Sequence, residues 1–185
     1  MHWVVEVIYF VIHAIAFSDK SELTGRFLNT SRANFKNSMD ISAYSFIEVA
    51  RRAHPLMKDN GGTLITLTYQ GSNRVVPNYN VMGVAKAALE SSVRYLAADL
   101  GSWDIRVNAI SPGPIRTRAA SGIGDFETLT RFAESNAPMH RGVTQEEVGR
   151  AALFLLSSLS SGITGEVLFC DAGYNIIGAA FNPAD

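Results

Sequence analysis

Four apolar, β-rich runs are separated by longer segments with helical patterning, and this alternation restricts the chain more than any other feature. The runs are residues 7–17, "TLITLT" from Thr63 to Thr68, "IRVNAI" from Ile105 to Ile110, and "EVLFC" from Glu166 to Cys170. Long helices are predicted over 40–57 and 80–100, and a short one near 125–135. A further helix runs to about residue 157, opened by the capping box "TQEE" from Thr144 to Glu147. Asn60, Gly61 and Gly62 stop the first long helix, and Gly101 lies beyond the second. "SPGP" from Ser111 to Pro114 breaks the third strand at once. Strands alternating with helices imply parallel strands joined by right-handed crossovers. Runs this apolar suit a sheet covered on both faces.

In such a sheet, ligands bind beyond the carboxyl ends of the strands. Phe17–Asp19, Thr68–Gly71 and Ser111–Thr117 are therefore expected on one rim, as three loops converging on a site. The segment 116–143, with Gly122 and Gly124, is expected to act as a mobile substrate lid on a single domain spanning 1–185.

Composition narrows the function classes. A formal net charge of −1 argues against a general nucleic-acid binder. His2, His13, His54 and His140 have no metal-ligand spacing, and no metal is expected. A single cysteine, Cys170, builds no disulfide framework, so a reducing cytoplasm is the default compartment. The run from Trp3 to Phe17 is interrupted by Glu6 and His13 and is too short for a membrane span. It reads as a buried strand.

Near the start of the second long helix stands "NYNVMGVAKAAL", residues 78–89, in which Tyr79 and Lys86 are separated by small apolar residues. Seven residues is close to two helical turns, so both side chains fall on nearly one face. The spacing alone admits two readings, a packed tyrosine with a snorkelling lysine or a chemical pair. As a pair, an ammonium near a phenol favours the ionised form and makes the phenol a better donor to an oxygen gaining charge.

Five stretches settle the comparison with known families: "HAIAFS" from His13, "TLTY" from Thr66, "PNYNVMGVAKAALE" from Pro77, "RVNAISPGPIRT" from Arg106 and "SGITGE" from Ser161. Together they resemble the short-chain dehydrogenase/reductase superfamily and, within it, the bacterial NADH-dependent enoyl-acyl-carrier-protein reductases. The likeness covers nearly the whole chain after about residue 9. The Tyr-x6-Lys interval matches this subfamily, whereas ordinary ketoreductases of the superfamily use Tyr-x3-Lys. Tyr69 stands where the subfamily expects a second tyrosine.

The resemblance implies a Rossmann-like parallel sheet with helices on both faces, and an enzyme of fatty-acid synthesis using NADH/NAD. Its substrate would be a trans-2-enoyl thioester on acyl carrier protein. Tyr79 would hydrogen-bond the thioester oxygen as an enolate forms, and Lys86 would hold the nicotinamide ribose. Tyr69 and Ser18 would border the substrate. Ile15 would line the cofactor through its backbone, and Ile115, Arg116, Thr117, Arg118 and Ala119 would close over the nicotinamide end. Relatives form homotetramers, and the faces Ile41–Ala50 and Val84–Leu96 are the expected association surfaces.

Three features depart from the family pattern. S-P-G-P stands for the usual S-A-G-P, and "PMHR" from Pro138 replaces a more basic segment. The likeness also begins at the family's fourth strand, without the first βαβαβ portion of roughly 70–90 residues. Before residue 60 the only glycine is Gly25, outside any strand–turn–helix unit that would cradle a pyrophosphate. The isolated chain is therefore expected to bind NADH poorly or not at all, and its first strand to form an exposed apolar edge. Two other readings remain at this point: a reductase or dehydrogenase of the same superfamily acting on a ketone or alcohol, and an inactive remnant that associates with intact subunits.

Overall fold

A computed structural model describes residues 6–117 and 125–179. Among these described residues, four strands, β1 (Phe10–His13), β2 (Gly62–Leu67), β3 (Ile105–Pro112) and β4 (Val167–Cys170), form one sheet in the order β1-β2-β3-β4. Every neighbouring pair is parallel. The register matches Phe10 with Thr63, Gly62 with Ile105 and Ala109 with Val167. Among the described residues, five α-helices accompany the sheet: α1 (Arg32–Met39), α2 (Ser45–Ala53), α3 (Val81–Leu100), α4 (Phe126–Asn136) and α5 (Gln145–Leu156). This is the Rossmann-like arrangement expected from the alternating pattern.

Period-two geometry sends successive strand residues to opposite faces, and both faces are covered. Leu64 and Val107 pack with Phe46 and Ala50 of α2 and Leu89 and Val93 of α3. Their strand neighbours Ile65 and Ile110 pack on the other face with Leu155 of α5. Thr144 accepts from the Glu147 N–H and Glu147 reaches back to the Thr144 N–H, so the expected capping box forms.

Three boundaries differ from expectation. The first strand shrinks from 7–17 to Phe10–His13, and of the two expectations for it, a buried strand and an exposed edge, the structure shows the edge. Tyr9, Phe10 and Ile12 remain 66%, 55% and 49% exposed. The third strand continues through Ser111 to Pro112, which pairs with Cys170. Proline is tolerated there because the Gly113 N–H, one residue on, donates to the Cys170 carbonyl at 2.9 Å.

The first long helix starts at Arg32 rather than 40. Its first part, α1, escaped periodicity reading because its buried residues are Asn34 and Ser38, which carry no apolar signal. Ser31 caps it by accepting from the Asn34 N–H. Between α1 and α2 lies one wide π turn, Asp40–Tyr44. That turn buries Ser42, whose hydroxyl accepts from the Phe17 N–H at 2.9 Å and donates to the Phe17 carbonyl at 3.0 Å. The inserted turn thus holds the loop leaving β1, in keeping with the tendency of π turns to occur at functional sites.

Candidate active site

A cavity of about 970 Å³ opens at the carboxyl ends of β1, β2 and β3. Its walls include Ser18 from the first loop, Tyr69 from the second, and Ile115 and Thr117 from the third. Tyr79 and Lys86 line it from the side of α3. The three loops expected to converge therefore do so, for the topological reason that all four strands run the same way.

Tyr79 lies in the turn just ahead of α3 rather than inside the helix. It is flanked by Asn78 and Asn80, both at positive φ (59° and 38°), a conformation that asparagine tolerates better than most residues. Tyr79 is nonetheless 7% exposed, and its ring meets that of Tyr69 edge-on, centroids 5.1 Å apart at 68°. Lys86, 6% exposed, donates from Nζ to the Leu67 carbonyl at 2.7 Å.

The electrostatics differ from the expectation of an ammonium that lowers the phenol's pKa. Burial drives Tyr79 strongly upward, and the neighbouring Tyr69 and Glu90 push the same way. Burial also pushes Tyr69 up to about 12, while the nearby Gln70 side chain offsets this in part. The Tyr69 hydroxyl is enclosed and has no hydrogen-bond partner of good geometry among the described residues. Burial lowers Lys86 to about 8, opposed by Glu90. Desolvation exceeds the pair effect because both groups are sealed in the wall while the ammonium is directed at a backbone carbonyl. The phenols are consequently neutral donors at neutral pH, and the lysine is a cation with little margin.

The remaining expected residues divide. Ser18 is buried and bonded to Asn34, whose carboxamide also accepts from the Asp19 N–H at 2.9 Å. Ile15 is 49% exposed and does not line the cavity, although Ala14 and Ala16 on either side of it do. Arg116 points outward into an exposed ion pair with Glu127 at 3.3 Å. Arg118 and Ala119 lie outside the described residues.

Lining residues not named in advance include Lys20 and Leu23 after the first loop, Met82 in the first turn of α3, and Gln145 and Val148 at the start of α5. A usable signal existed for the last two. In a parallel sheet, helices begin on the rim where strands end, so the residues behind a capping box are rim residues.

The fit to a nicotinamide nucleotide can be judged from these side chains. A buried cation, an enclosed unpaired phenol and an open cavity suit its nicotinamide–ribose end. Among the described residues, no glycine-rich turn between strand and helix offers a pyrophosphate cradle.

Comparison with known proteins agrees with this geometry. The chain is 65% identical over 169 residues to enoyl-[acyl-carrier-protein] reductase [NADH] 1 of Rhizobium meliloti (strain 1021), covering 91% of this chain and 62% of that protein. It is 57% identical over 171 residues to the corresponding NADH enzyme FabI of Rickettsia typhi, covering 92% and 65%. The chain thus spans somewhat under two thirds of the length of these relatives. The crystal structure of the Anaplasma phagocytophilum enoyl-(acyl-carrier-protein) reductase, in complex with NAD, superposes with a TM-score of 0.91 at 54% identity, covering 95% of this chain and 67% of that one. FabI from Candidatus Liberibacter asiaticus gives 0.92 at 52% identity, with coverage of 95% and 68%. The model of the family described as enoyl-(acyl carrier protein) reductase matches residues 2–175. With nearly all of the chain matched and the same parallel sheet beneath it, this protein belongs to the enoyl-(acyl carrier protein) reductase family.

Proposed function

We propose that this chain carries the substrate-handling part of an NADH-dependent reductase of trans-2-enoyl thioesters on acyl carrier protein, in fatty-acid synthesis. One observation carries the reading: Tyr69, Tyr79 and Lys86 share the wall of a single cavity at the carboxyl ends of the strands. Bound NADH would supply the hydride. The chain's own groups bind, orient and exclude water.

Tyr79, kept protonated by burial, donates a hydrogen bond to the thioester oxygen as negative charge gathers there. Because the phenol is already desolvated, that bond strengthens as the charge grows without solvent having to reorganise. Lys86 is fixed against Leu67 and offers its remaining N–H donors to the ribose hydroxyls. Tyr69 presses its ring on Tyr79 and limits the angle at which the phenol meets the substrate. Ser18 borders the acyl side, Ile115 and Thr117 close the nicotinamide side, and Phe126 at the start of α4 adds an apolar wall. Ile15 and Arg116 contribute backbone only, and the parts expected of Arg118 and Ala119 fall outside the described residues.

The relatives in this family favour an enoyl over a keto substrate. The chain also associates with copies of itself through α2 and α3, where Ile47, Val84 and Tyr95 remain exposed.

The test adds a short trans-2-enoyl thioester or a 3-ketoacyl thioester to the isolated chain. It follows NMR shifts of Tyr69, Tyr79 and Lys86, then NADH oxidation. The enoyl compound should perturb all three residues and be turned over faster than the keto compound, slowly in absolute terms, and Tyr79→Phe should abolish that turnover. Perturbations confined to other residues, or preferred reduction of the keto compound, would overturn the reading.

A further inference from the structure

Leu67 and Thr68, consecutive residues at the exit of β2, are each tied to α3 by one side chain. Lys86 donates to the Leu67 carbonyl at 2.7 Å, and the Thr68 hydroxyl donates to Glu90 Oε1 at 2.6 Å. Lys86 and Glu90 are four residues apart, so they are neighbours on the helix surface. Thr68 is 4% exposed and lines the same cavity as Lys86. The carboxylate is therefore gripped, one helical turn on from Lys86, by a residue of the cavity wall.

We propose that Glu90 is a positioning residue for the reaction: held by Thr68, its carboxylate keeps the Lys86 ammonium charged and stationed at the end of β2, ready for ribose hydroxyls. This rests on the reading of Lys86 given above.

The surrounding charges leave the role to Glu90. From β1, His13 faces Lys86, but its imidazole is driven down to about 4 by burial and by Lys86 itself, so it is neutral and supplies no counter-charge. In the turn ahead of α3, Tyr79 is a neutral phenol and feels Glu90 in the direction that keeps it protonated. Glu90 is the group that opposes the burial of Lys86. One carboxylate thus supports both donor forms the site needs, a protonated phenol and a charged amine. A plain helix-to-strand staple would need only the hydrogen bond, whereas this role needs the charge.

Two substitutions separate those cases. Glu90→Gln keeps an oxygen for the Thr68 hydroxyl and removes the charge, and Thr68→Val keeps the charge and removes the grip. The Lys86 titration is read from its ε-carbon NMR resonance in the whole chain, at fixed ionic strength, with circular dichroism to confirm folding. In Glu90→Gln the midpoint should move down by about one pH unit, and in Thr68→Val it should move down by less. An unchanged midpoint in folded Glu90→Gln overturns the proposal. If that variant does not fold, an unchanged midpoint in Thr68→Val overturns it alone. The readout needs neither NADH nor turnover. An unchanged midpoint therefore leaves the reductase reading standing, and a shifted midpoint in a chain that fails to recognise enoyl thioesters leaves the role of Glu90 standing.

Discussion

Gly71 lies so close to the ring of Tyr79 that a Cβ on it would sit 2.5 Å from Cδ1. The same turn presses on α3, where a Cβ on Gly83 would meet the Gly71 carbonyl oxygen at 2.6 Å. These two glycines let the turn Gln70–Ser72 dock on the helix and leave Tyr79 a single place for its ring. Gly71→Ala must displace either the ring or the turn. A loss of about 1–3 kcal/mol in stability is expected, as for other overpacked sites, together with altered Tyr79 ring resonances. Gly83→Ala should act similarly by pushing the turn away. Native melting temperature and native ring shifts in both variants would show that this packing does not aim Tyr79.

His13 should make stability fall with acid. It is 3% exposed, with Nδ1 2.9 Å from Thr66 Oγ1 and Nε2 2.8 Å from Ser45 Oγ. Its folded pKa of about 4 lies below the ordinary 6.5, chiefly through burial. Between those values the unfolded chain takes up a proton that the folded chain refuses, so the contribution is intact above pH 6.5 and declines toward 4. It amounts to about 2 kcal/mol after allowing for solvent screening. Urea unfolding of His13→Gln should show a flatter pH dependence across this window than the native chain. The lowered carboxylates Asp19, Glu22, Glu48 and Glu147 add their own slope in more acid conditions, so the difference between the two chains is the quantity to read.

Arg106 closes the far end of α5. Its Nη2 donates to the carbonyls of Leu155 at 2.9 Å and Ser157 at 3.2 Å, and its Nη1 to Ser160 Oγ at 2.9 Å and the Ile163 carbonyl at 3.3 Å. The last carbonyls of a helix have no partner within it, and a cation suits that end of its dipole. Arg106→Met keeps the aliphatic packing and removes the donors, at a cost of about 2–3 kcal/mol. Arg106→Lys should recover only part of this, since one ammonium cannot span the same acceptors. Chemical denaturation of the three chains checks the order.

Among the described residues, no strand pairs with the outer edge of β1, where Phe10 and Ile12 are exposed. Such an edge templates pairing with another chain. Ile12→Lys should lower concentration-dependent association in sedimentation velocity while leaving the fold intact. Unchanged association would leave the exposed faces of α2 and α3 as the contact through which copies meet, with nothing added by this edge.

Short-range pattern was enough for much of this architecture. The apolar runs of β2, β3 and β4, the boundaries of α3 and the Thr144–Glu147 box each depend on residues within a turn or two of one another, so periodicity and capping chemistry display them directly. The Tyr79–Lys86 pair was visible as a spacing on one helix face, but its reading as a site, and Tyr69 with it, came from the family resemblance and not from local pattern. What lay beyond the sequence depends on distant partners. Helix α1 hides its polar buried face until Asn34 meets Ser18 and Asp19, and Ile15 turns outward while its two alanine neighbours line the cavity. The protonation states were decided by burial, which outweighs the attraction that an ammonium offers a phenol along a helix. The grip of Thr68 on Glu90 exists only because β2 and α3 are packed side by side. Local chemistry chose the elements and the candidate site groups, and three-dimensional packing set their solvation and hence their charge, because desolvation is a property of the assembled interior and not of any one stretch of chain.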